Sequence, residues 1–139
     1  MSAFGWAIVT ACIWGIVPLM EKLGLGRSDP VTGVFARSFG VVAGLLIFGL
    51  WWSPWKAVFN LSVRSFLLLA AGGLLASFLG QLAFYHALKG GQVSQVTPLA
   101  GTYPLVAAVL GWWLLREPLS ASRVVGVVLI VIGTLLLRR

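Results

Sequence analysis

Few side chains in this sequence have the chemistry of a catalyst or a metal ligand. The 139 residues include three acids, one histidine and one cysteine, namely Glu21, Asp29, Glu117, His86 and Cys12. Nucleophilic catalysis needs a base beside the nucleophile, and metal sites need several ligands at short spacing. His86 has no acid near it in the sequence, and a single histidine with three scattered acids gives no metal-ligand spacing, so neither arrangement occurs. We therefore expect no enzyme, no cofactor and no metal ion, and we expect Cys12 to be a small buried apolar residue.

Polar and aromatic side chains recur instead at helical spacing, which places residues three or four apart on one face. The first predicted helix carries Thr10, Trp14, Val17 and Glu21, the third carries Ser77, Gln81 and Tyr85, and the fourth carries Gln95, Thr102 and Tyr103. Polar groups in hydrocarbon are costly unless they are paired or hydrated. Two interpretations follow, a shared hydrated substrate cavity or ordinary hydrogen bonds between helices. The cavity interpretation predicts substrate contacts from Thr10, Trp14, Gln81, Tyr85 and Tyr103.

Trp14 and three prolines favour the cavity. Six of the seven tryptophans lie near predicted helix ends, as expected for rings at the headgroup level, whereas Trp14 lies about 12 residues into its helix. Pro18, Pro98 and Pro104 are predicted helix kinks, because a proline lacks the N–H that would bond the carbonyl four residues earlier. Each proline thereby frees a backbone acceptor inside the membrane.

Three side chains could bring charge into such a cavity. Glu21 and His86 are the candidates for proton coupling. Glu21 is favoured, because a carboxylate at a helix end beside a cavity can exchange protons with water. Both also have a purely structural interpretation, since Glu21 adjoins Lys22 and His86 lies one turn from Lys89. Arg37 lies about 9 Å from the start of its predicted helix, and its side chain is expected to snorkel to the headgroups. Two alternatives are that Arg37 is a substrate contact, which binds an anionic ligand, or that it binds a carboxylate of another segment.

The composition indicates which elements position these residues. Hydrophobic residues make up 60% of the chain and charged residues 9%, with a mean hydropathy of +1.02, which excludes a soluble globular protein. The formal charge is +7, but the basic residues are scattered singly, so nucleic acid is not expected as a partner. Charge-free runs cover residues 2–20, 38–55, 65–88, 90–115 and 124–137. Since about 20 apolar residues cross the hydrocarbon core, we predict an all-α integral membrane protein, with five transmembrane helices in one bundle near residues 3–22, 31–51, 65–88, 93–115 and 121–137.

Several segments resemble EamA-type domains of the drug/metabolite transporter superfamily. Residues 84–98, with their tyrosine, Ala-Leu-Lys and downstream proline, look like the segment that joins helices three and four of these domains. Residues 115–120 resemble the family's Gly-Glu-x-Leu-Ser turn, with Arg116 in place of the usual glycine. The first two helices are matched by Trp14-Gly15 with Lys22, and by Pro30 followed by Arg37. The motifs follow the family's order over nearly the whole chain.

The resemblance implies a single EamA-like domain over residues 1–139, a five-helix unit that most relatives duplicate into two inverted halves. This chain resembles the short, single-unit branch. The stretch from Gly126 to Gly133 also resembles the dimerising last helix of the small multidrug resistance transporters. Gly126 and Gly133 are therefore expected at a homodimer interface. Those relatives use a mid-membrane glutamate in the first helix, whereas the first acid here is Glu21.

We therefore expect a homodimeric transporter that moves a small organic metabolite or amphiphile across the cell (cytoplasmic) membrane by alternating access. Its partners would be the small-molecule substrate, membrane lipids and a second copy of the chain. Two alternatives stay open. One is a flippase for a lipid-linked substrate, and the other is a non-transporting membrane subunit of a larger complex.

The loop charges predict an almost balanced orientation, because lysines and arginines near helix ends favour the cytoplasmic side. With five helices, one side carries Lys56, Arg64, Arg116 and Arg123, and the other carries Lys22, Arg27, Lys89, Arg138 and Arg139. A chain with so little bias can insert both ways and pair antiparallel. The alternative is one orientation with the C-terminus inside, followed by a parallel dimer or a partner chain.

Overall fold

The computed structural model describes residues 2–118 and 120–137, so that Met1, Leu119, Arg138 and Arg139 lie outside the described residues. Every element of the described part is helical, and the predicted all-α class is confirmed. The elements are α1 (Ala3–Leu25), α2 (Pro30–Trp52), α3 (Trp55–Phe59), α4 (Val63–Leu74), a π-helical segment (Leu75–Gly80), α5 (Gln81–Gly90), α6 (Val93–Ala100), α7 (Tyr103–Leu115) and α8 (Ala121–Leu136).

Four stretches of the described chain are long and apolar enough to cross a membrane. They are Ala3–Leu25, Pro30–Trp52, Val63–Gly90 and Val93–Leu115. The fifth predicted span corresponds to α8, which is apolar but has 16 residues. At 1.5 Å per residue α8 is about 24 Å long, which is shorter than the roughly 30 Å hydrocarbon core.

The chain divides into two compact units, Met1–Lys89 and Gly90–Arg139. In the first unit the buried hydrophobic residues lie where the end of α1, the start of α2 and α5 meet. They are Leu25, Val34, Tyr85 and Leu88. In the second unit α6 and α7 both contact α8, and Thr134 of α8 is buried.

Side-chain caps begin several of the helices. The Asp29 carboxylate accepts hydrogen bonds from the backbone of Val31 at 2.9 Å and of Thr32 at 3.1 Å, and Pro30 occupies the first turn of α2. The hydroxyl and backbone N–H of Thr32 hold the pKa of the Asp29 carboxyl below its usual range. Ser120 caps α8 by accepting from the backbone N–H of Arg123 at 3.3 Å.

Two features differ from the sequence-based expectation in the first unit. The connection between the second and third predicted helices, residues 52–64, contains the short helix α3. The Trp55 ring of α3 packs against Gly49, so that a Cβ added to Gly49 would lie only 2.7 Å from Trp55 Cζ2. The prediction that Cys12 is buried is wrong, because this cysteine is exposed on α1. In a membrane helix small apolar residues can face outward, since lipid tails are as apolar as a protein core.

The third predicted helix also contains a π-helical segment, Leu75–Gly80. Its last residue is a glycine, and a Cβ there would lie 3.0 Å from the backbone oxygen of Leu75. A π turn changes the register of everything that follows it and is frequent at functional sites. The segment therefore decides which face of α5 carries Gln81 and Tyr85.

Arg116 is in the left-handed conformation, with φ +55° and ψ +34°, at the C-terminal cap of α7. The N–H of the following residue, Glu117, donates to the carbonyl of Gly111 at 3.2 Å. A left-handed residue just after the last helical turn is typical of helix C-termini and is usually a glycine. This geometry explains the glycine that resembling domains carry at this turn. In this left-handed conformation the backbone of Arg116 is strained, because its Cβ crowds the backbone.

We expect Arg116→Gly to stabilise the protein by about 1 kcal/mol, because the left-handed conformation carries no Cβ penalty in glycine. The matched control is Ala108→Gly inside α7, which should cost about 1 kcal/mol. Thermal unfolding of the purified protein in detergent measures both changes. A loss of stability in both variants would contradict the strain at Arg116.

Candidate functional site

The main polar site of the first unit is the Glu21 cluster, formed by Glu21, Arg37, Gln81 and Tyr85. Gln81 Nε2 donates to Glu21 Oε1 at 2.8 Å, and the Tyr85 hydroxyl donates to the same oxygen at 3.1 Å. Arg37 Nε lies 3.3 Å from this oxygen. One carboxylate oxygen thus collects contacts from two other helices.

The helices bring these residues together near their ends. Glu21 lies four residues before the end of α1, and Arg37 lies seven residues after the start of α2. At 1.5 Å per residue these depths are about 6 Å and about 10 Å from the α1–α2 connection. Gln81 and Tyr85 are one turn apart on α5, so both reach Glu21 from one side.

Opposite charges balance within the cluster. The Glu21 side chain is 9% exposed and that of Arg37 is 31% exposed. A single charge at the bilayer centre costs about 2.5–3.5 kcal/mol on insertion scales and less nearer the headgroups, and pairing reduces that cost. In the structure Arg37 therefore contacts a carboxylate of another segment, which is one of the alternatives that the sequence left open.

A cavity of about 280 Å³ lies beside the cluster. Its lining includes Glu21, Arg37 and Tyr85, together with Met20, Thr32 and Gly33. The cavity thus combines both charges of the ion pair with an aromatic ring and apolar surface. This is the usual makeup of a small-molecule site, in which a few polar groups orient a ligand among apolar walls.

Gly33 of α2 positions Tyr85, and sequence reasoning did not select it. A Cβ on Gly33 would lie 2.8 Å from Tyr85 Cδ2 and Cε2 and 2.7 Å from Leu25 Cδ1. The absence of a side chain lets the tyrosine ring lie against the α2 backbone, and the ring is 3% exposed. No spacing rule in the sequence marks a glycine that receives a ring from a distant helix.

We expect Gly33→Ala to destabilise the protein by about 1–3 kcal/mol, the usual cost of overpacking, because the Tyr85 ring must move away from Glu21. Gly40→Ala on the same helix is the matched control, since no atom of the described residues, apart from the chain neighbours and the helix's own backbone, lies within 4 Å of its ideal Cβ. That change should raise stability by about 0.5–1 kcal/mol. Thermal unfolding in detergent compares them, and equal effects would contradict the packing of Tyr85 on Gly33.

Two lysines join the same end of the first unit through backbone carbonyls. Lys22 Nζ donates to the carbonyl of Leu88, and Lys89 Nζ donates to the carbonyl of Ser28 at 2.9 Å. Carbonyls near a helix C-terminus lack helical partners and favour cations. Lys22 thus contributes a cap to α5, which adjacency to Glu21 in the sequence could not indicate.

Other predicted residues lie outside the cluster. The Thr10 hydroxyl donates to the carbonyl of Trp6 within α1, at 2.9 Å. Trp14 is 58% exposed, and His86 is also exposed, unlike its neighbour Tyr85. In the second unit Tyr103 is 58% exposed.

The predicted kink and interface residues have varied surroundings. Pro18 is buried inside α1, which continues as a helix through it. Pro98 lies within α6 and Pro104 in the first turn of α7, and the helix is interrupted between Ala100 and Tyr103. On α8, apart from the chain neighbours and the helix's own backbone, no atom of the described chain lies within 4 Å of an ideal Cβ on Gly126 or Gly133.

Comparison with known proteins gives one family and several distant relatives. A family model described as the EamA-like transporter family matches residues 1–139. An uncharacterised transporter in the cobO 3′ region of a Sinorhizobium species is 26% identical over 95% of this chain and 93% of its own length. An uncharacterised protein of Methanocaldococcus jannaschii is 25% identical over 94% and 91%.

A third relative is longer than this chain. The protein LicB of Haemophilus influenzae is 26% identical over 99% of this chain, but the match covers 44% of LicB. No solved structure matches the chain significantly.

Proposed function

The chain belongs to the EamA-like transporter family, and on this premise we propose that it moves a small organic metabolite or amphiphile across the cytoplasmic membrane by alternating access. With four stretches of the described chain long and apolar enough to span a bilayer, it is a multi-pass membrane protein. The observation that carries the proposal is the Glu21 cluster, an ion pair beside a cavity in the spanning segments. Ionisable residues inside a membrane mark substrate or ion pathways by default.

The geometry of the cluster supports a cycle of opening and closing. Glu21, Arg37 and Tyr85 come from three helices, and their contacts meet at one oxygen atom. Moving α1 away from α2 and α5 would therefore break all the contacts of that oxygen together. The charges of Glu21 and Arg37 cancel, and the contacts of Glu21 can form and break together. Such contacts could hold the pathway closed on one side and release it when the helices separate.

A homodimer of five-helix chains is the assembly that this proposal favours. The faces of α8 at Gly126 and Gly133 are open in the described chain, so another helix could approach closely there. Two inverted copies would place two such sites about a common midplane.

Cysteine labelling from each side of the membrane tests the inverted arrangement. On a Cys12→Ser background, single cysteines in residues 52–64 and at residue 90 should each label partly from both sides. Labelling of each position from one side only would contradict dual insertion and leave a parallel dimer or a partner chain.

Flux measurements on purified protein in liposomes test transport itself. A ligand-stabilisation screen against a metabolite library first identifies solutes to load. We expect flux of a stabilising solute without any lipid carrier. Flux that requires a lipid carrier would indicate a flippase, and no flux in any condition would indicate a non-transporting subunit.

Glu21 is the residue that we propose for proton coupling. Glu21→Gln keeps the hydrogen-bonding shape of the side chain but cannot release a proton, so we expect the pH dependence of flux to flatten. His86→Ala is the comparison, because His86 is exposed outside the cluster. An unchanged pH profile in Glu21→Gln, with loss of pH dependence in His86→Ala, would assign the coupling to His86.

A further inference from the structure

The Glu21 cluster leaves ionic binding capacity unused. Arg37 approaches Glu21 through Nε, and within the described residues Nη1 and Nη2 donate no hydrogen bond. The contacts of Glu21 fall on Oε1, and within the same residues Oε2 accepts no hydrogen bond. A forked donor and a carboxylate oxygen therefore border one cavity, each able to take a further partner.

The chemistry of these two groups defines complementary ligand groups. The terminal nitrogens of a guanidinium match the two oxygens of a carboxylate in a bidentate pair. A carboxylate oxygen accepts from an ammonium group, which carries three donors and no acceptor. A ligand that satisfies both must carry a carboxylate and an ammonium close together.

Net charge favours the same ligand over singly charged ones. The paired Glu21 and Arg37 sum to zero, so a bound cation or anion would leave one uncompensated charge in an apolar segment. Such a charge is costly to bury. A zwitterion adds no net charge, while each of its ends finds an opposite partner.

The cavity has room for a small ligand beside the ion pair. Its volume is about 280 Å³, and Glu21, Arg37 and Tyr85 are among its lining residues. Both charged ends of a small zwitterion can therefore meet the ion pair within one cavity.

We propose that the Glu21 cluster binds a small zwitterion, with its ammonium on Glu21 Oε2 and its carboxylate on Arg37 Nη1 and Nη2. This assignment rests on the proposed transport function, since it names the substrate class of the same site. It makes Glu21 and Arg37 the two residues that select the substrate by charge.

Isothermal titration of the full-length protein in detergent tests the selection with four molecules of equal size. L-alanine is the zwitterion, L-alaninamide the cation, L-lactate the anion and L-lactamide the neutral analogue. Glycine, β-alanine and 4-aminobutyrate extend the set to other charge spacings. We expect at least one zwitterion to bind at least tenfold tighter than all three analogues. If no zwitterion does so, the proposal is wrong.

Charge variants give a second, independent readout. Glu21→Gln leaves the site with the single positive charge of Arg37, so the binding preference should shift from L-alanine to the anion L-lactate. Glu117→Gln is the matched control at an exposed position, and it should keep the zwitterion preference. Because Glu21→Gln is expected to gain an anion, misfolding cannot imitate the result. An unchanged preference in Glu21→Gln would contradict the assignment of the ammonium.

Arg37→Lys tests the carboxylate end. Lysine keeps the charge but lacks the forked donors, so zwitterion affinity should fall at least tenfold. Arg64→Lys, at an exposed position of α4, should leave it unchanged. Equal affinities in the two variants would remove Arg37 from the site.

Binding and flux together separate this inference from the proposed function. Flux of other solutes without zwitterion binding would overturn the substrate class and leave transport intact. Zwitterion binding that depends on Glu21 and Arg37, with no flux in liposomes, would keep the site and overturn the transport proposal.

Discussion

Replacing Glu21 by alanine is expected to destabilise the protein by about 2–3 kcal/mol and to reduce solute flux at least tenfold. The stability loss follows because the variant leaves Arg37 in a spanning segment without its carboxylate. Gln81 and Tyr85 lose their common acceptor at the same time. Thermal unfolding in detergent and flux in liposomes measure the two effects.

A double variant separates charge balance from function. Glu21→Ala combined with Arg37→Met removes both charges, so most of the stability should return, because replacing a buried pair by apolar residues is often neutral. Flux should stay low, since the site then has no charge. Glu117→Ala, which removes an exposed carboxylate, is the matched control and should change neither quantity much. A Glu21→Ala variant as stable as the parent would contradict the ion pair.

The sequence singled out all four residues of the cluster, but it grouped them with Thr10, Trp14 and Tyr103, which lie elsewhere, and it did not predict their pairing. Helical spacing selected Glu21 on one helix and both Gln81 and Tyr85 on another, because it reports which residues share a face. Spacing does not report which faces meet. The contact between Glu21 and Arg37 depends on how α1 packs against α2, and it was one of three alternatives for Arg37.

Backbone features were the hardest to foresee. Caps such as those at Asp29 and Ser120 can be recognised from local chemistry, since a cap depends on residues within one turn. The π-helical segment that ends at Gly80 has no comparable local signal, because periodicity arguments assume 3.6 residues per turn. Gly33 could not be selected for a related reason. It makes room for the Tyr85 ring, which comes from a helix about 50 residues further along the chain.

Trp14 is the predicted substrate residue whose role depends most on surroundings outside the chain. The exposed fraction of its side chain is 58%, almost the same as the 59% of Trp6 on the same helix. Exposure therefore cannot separate a ring in a cavity from a ring in lipid. Depth can, because Trp6 lies in the first turn of α1, whereas Trp14 lies 11 residues from its start, about 16 Å along the axis.

The indole N–H gives the physical reason to expect a role for Trp14. Within the described residues the Trp14 side chain makes no hydrogen bond, and an indole nitrogen can only donate. Near the headgroups water satisfies such a group, as expected for Trp6. In the middle of the bilayer the donor needs a solute, a cavity water or a second copy of the chain.

Trp14→Ala is therefore expected to abolish flux while membrane insertion and yield stay normal. Trp6→Ala is the matched control and should keep most of the flux, because that ring serves as an interfacial anchor. Trp14→Phe retains the aromatic ring but lacks the N–H, so its flux should lie between those of the parent and Trp14→Ala. Flux assays in liposomes, with the amount of inserted protein measured in parallel, give the comparison. Normal flux in Trp14→Ala would mean that the ring faces lipid and that the substrate pathway lies elsewhere.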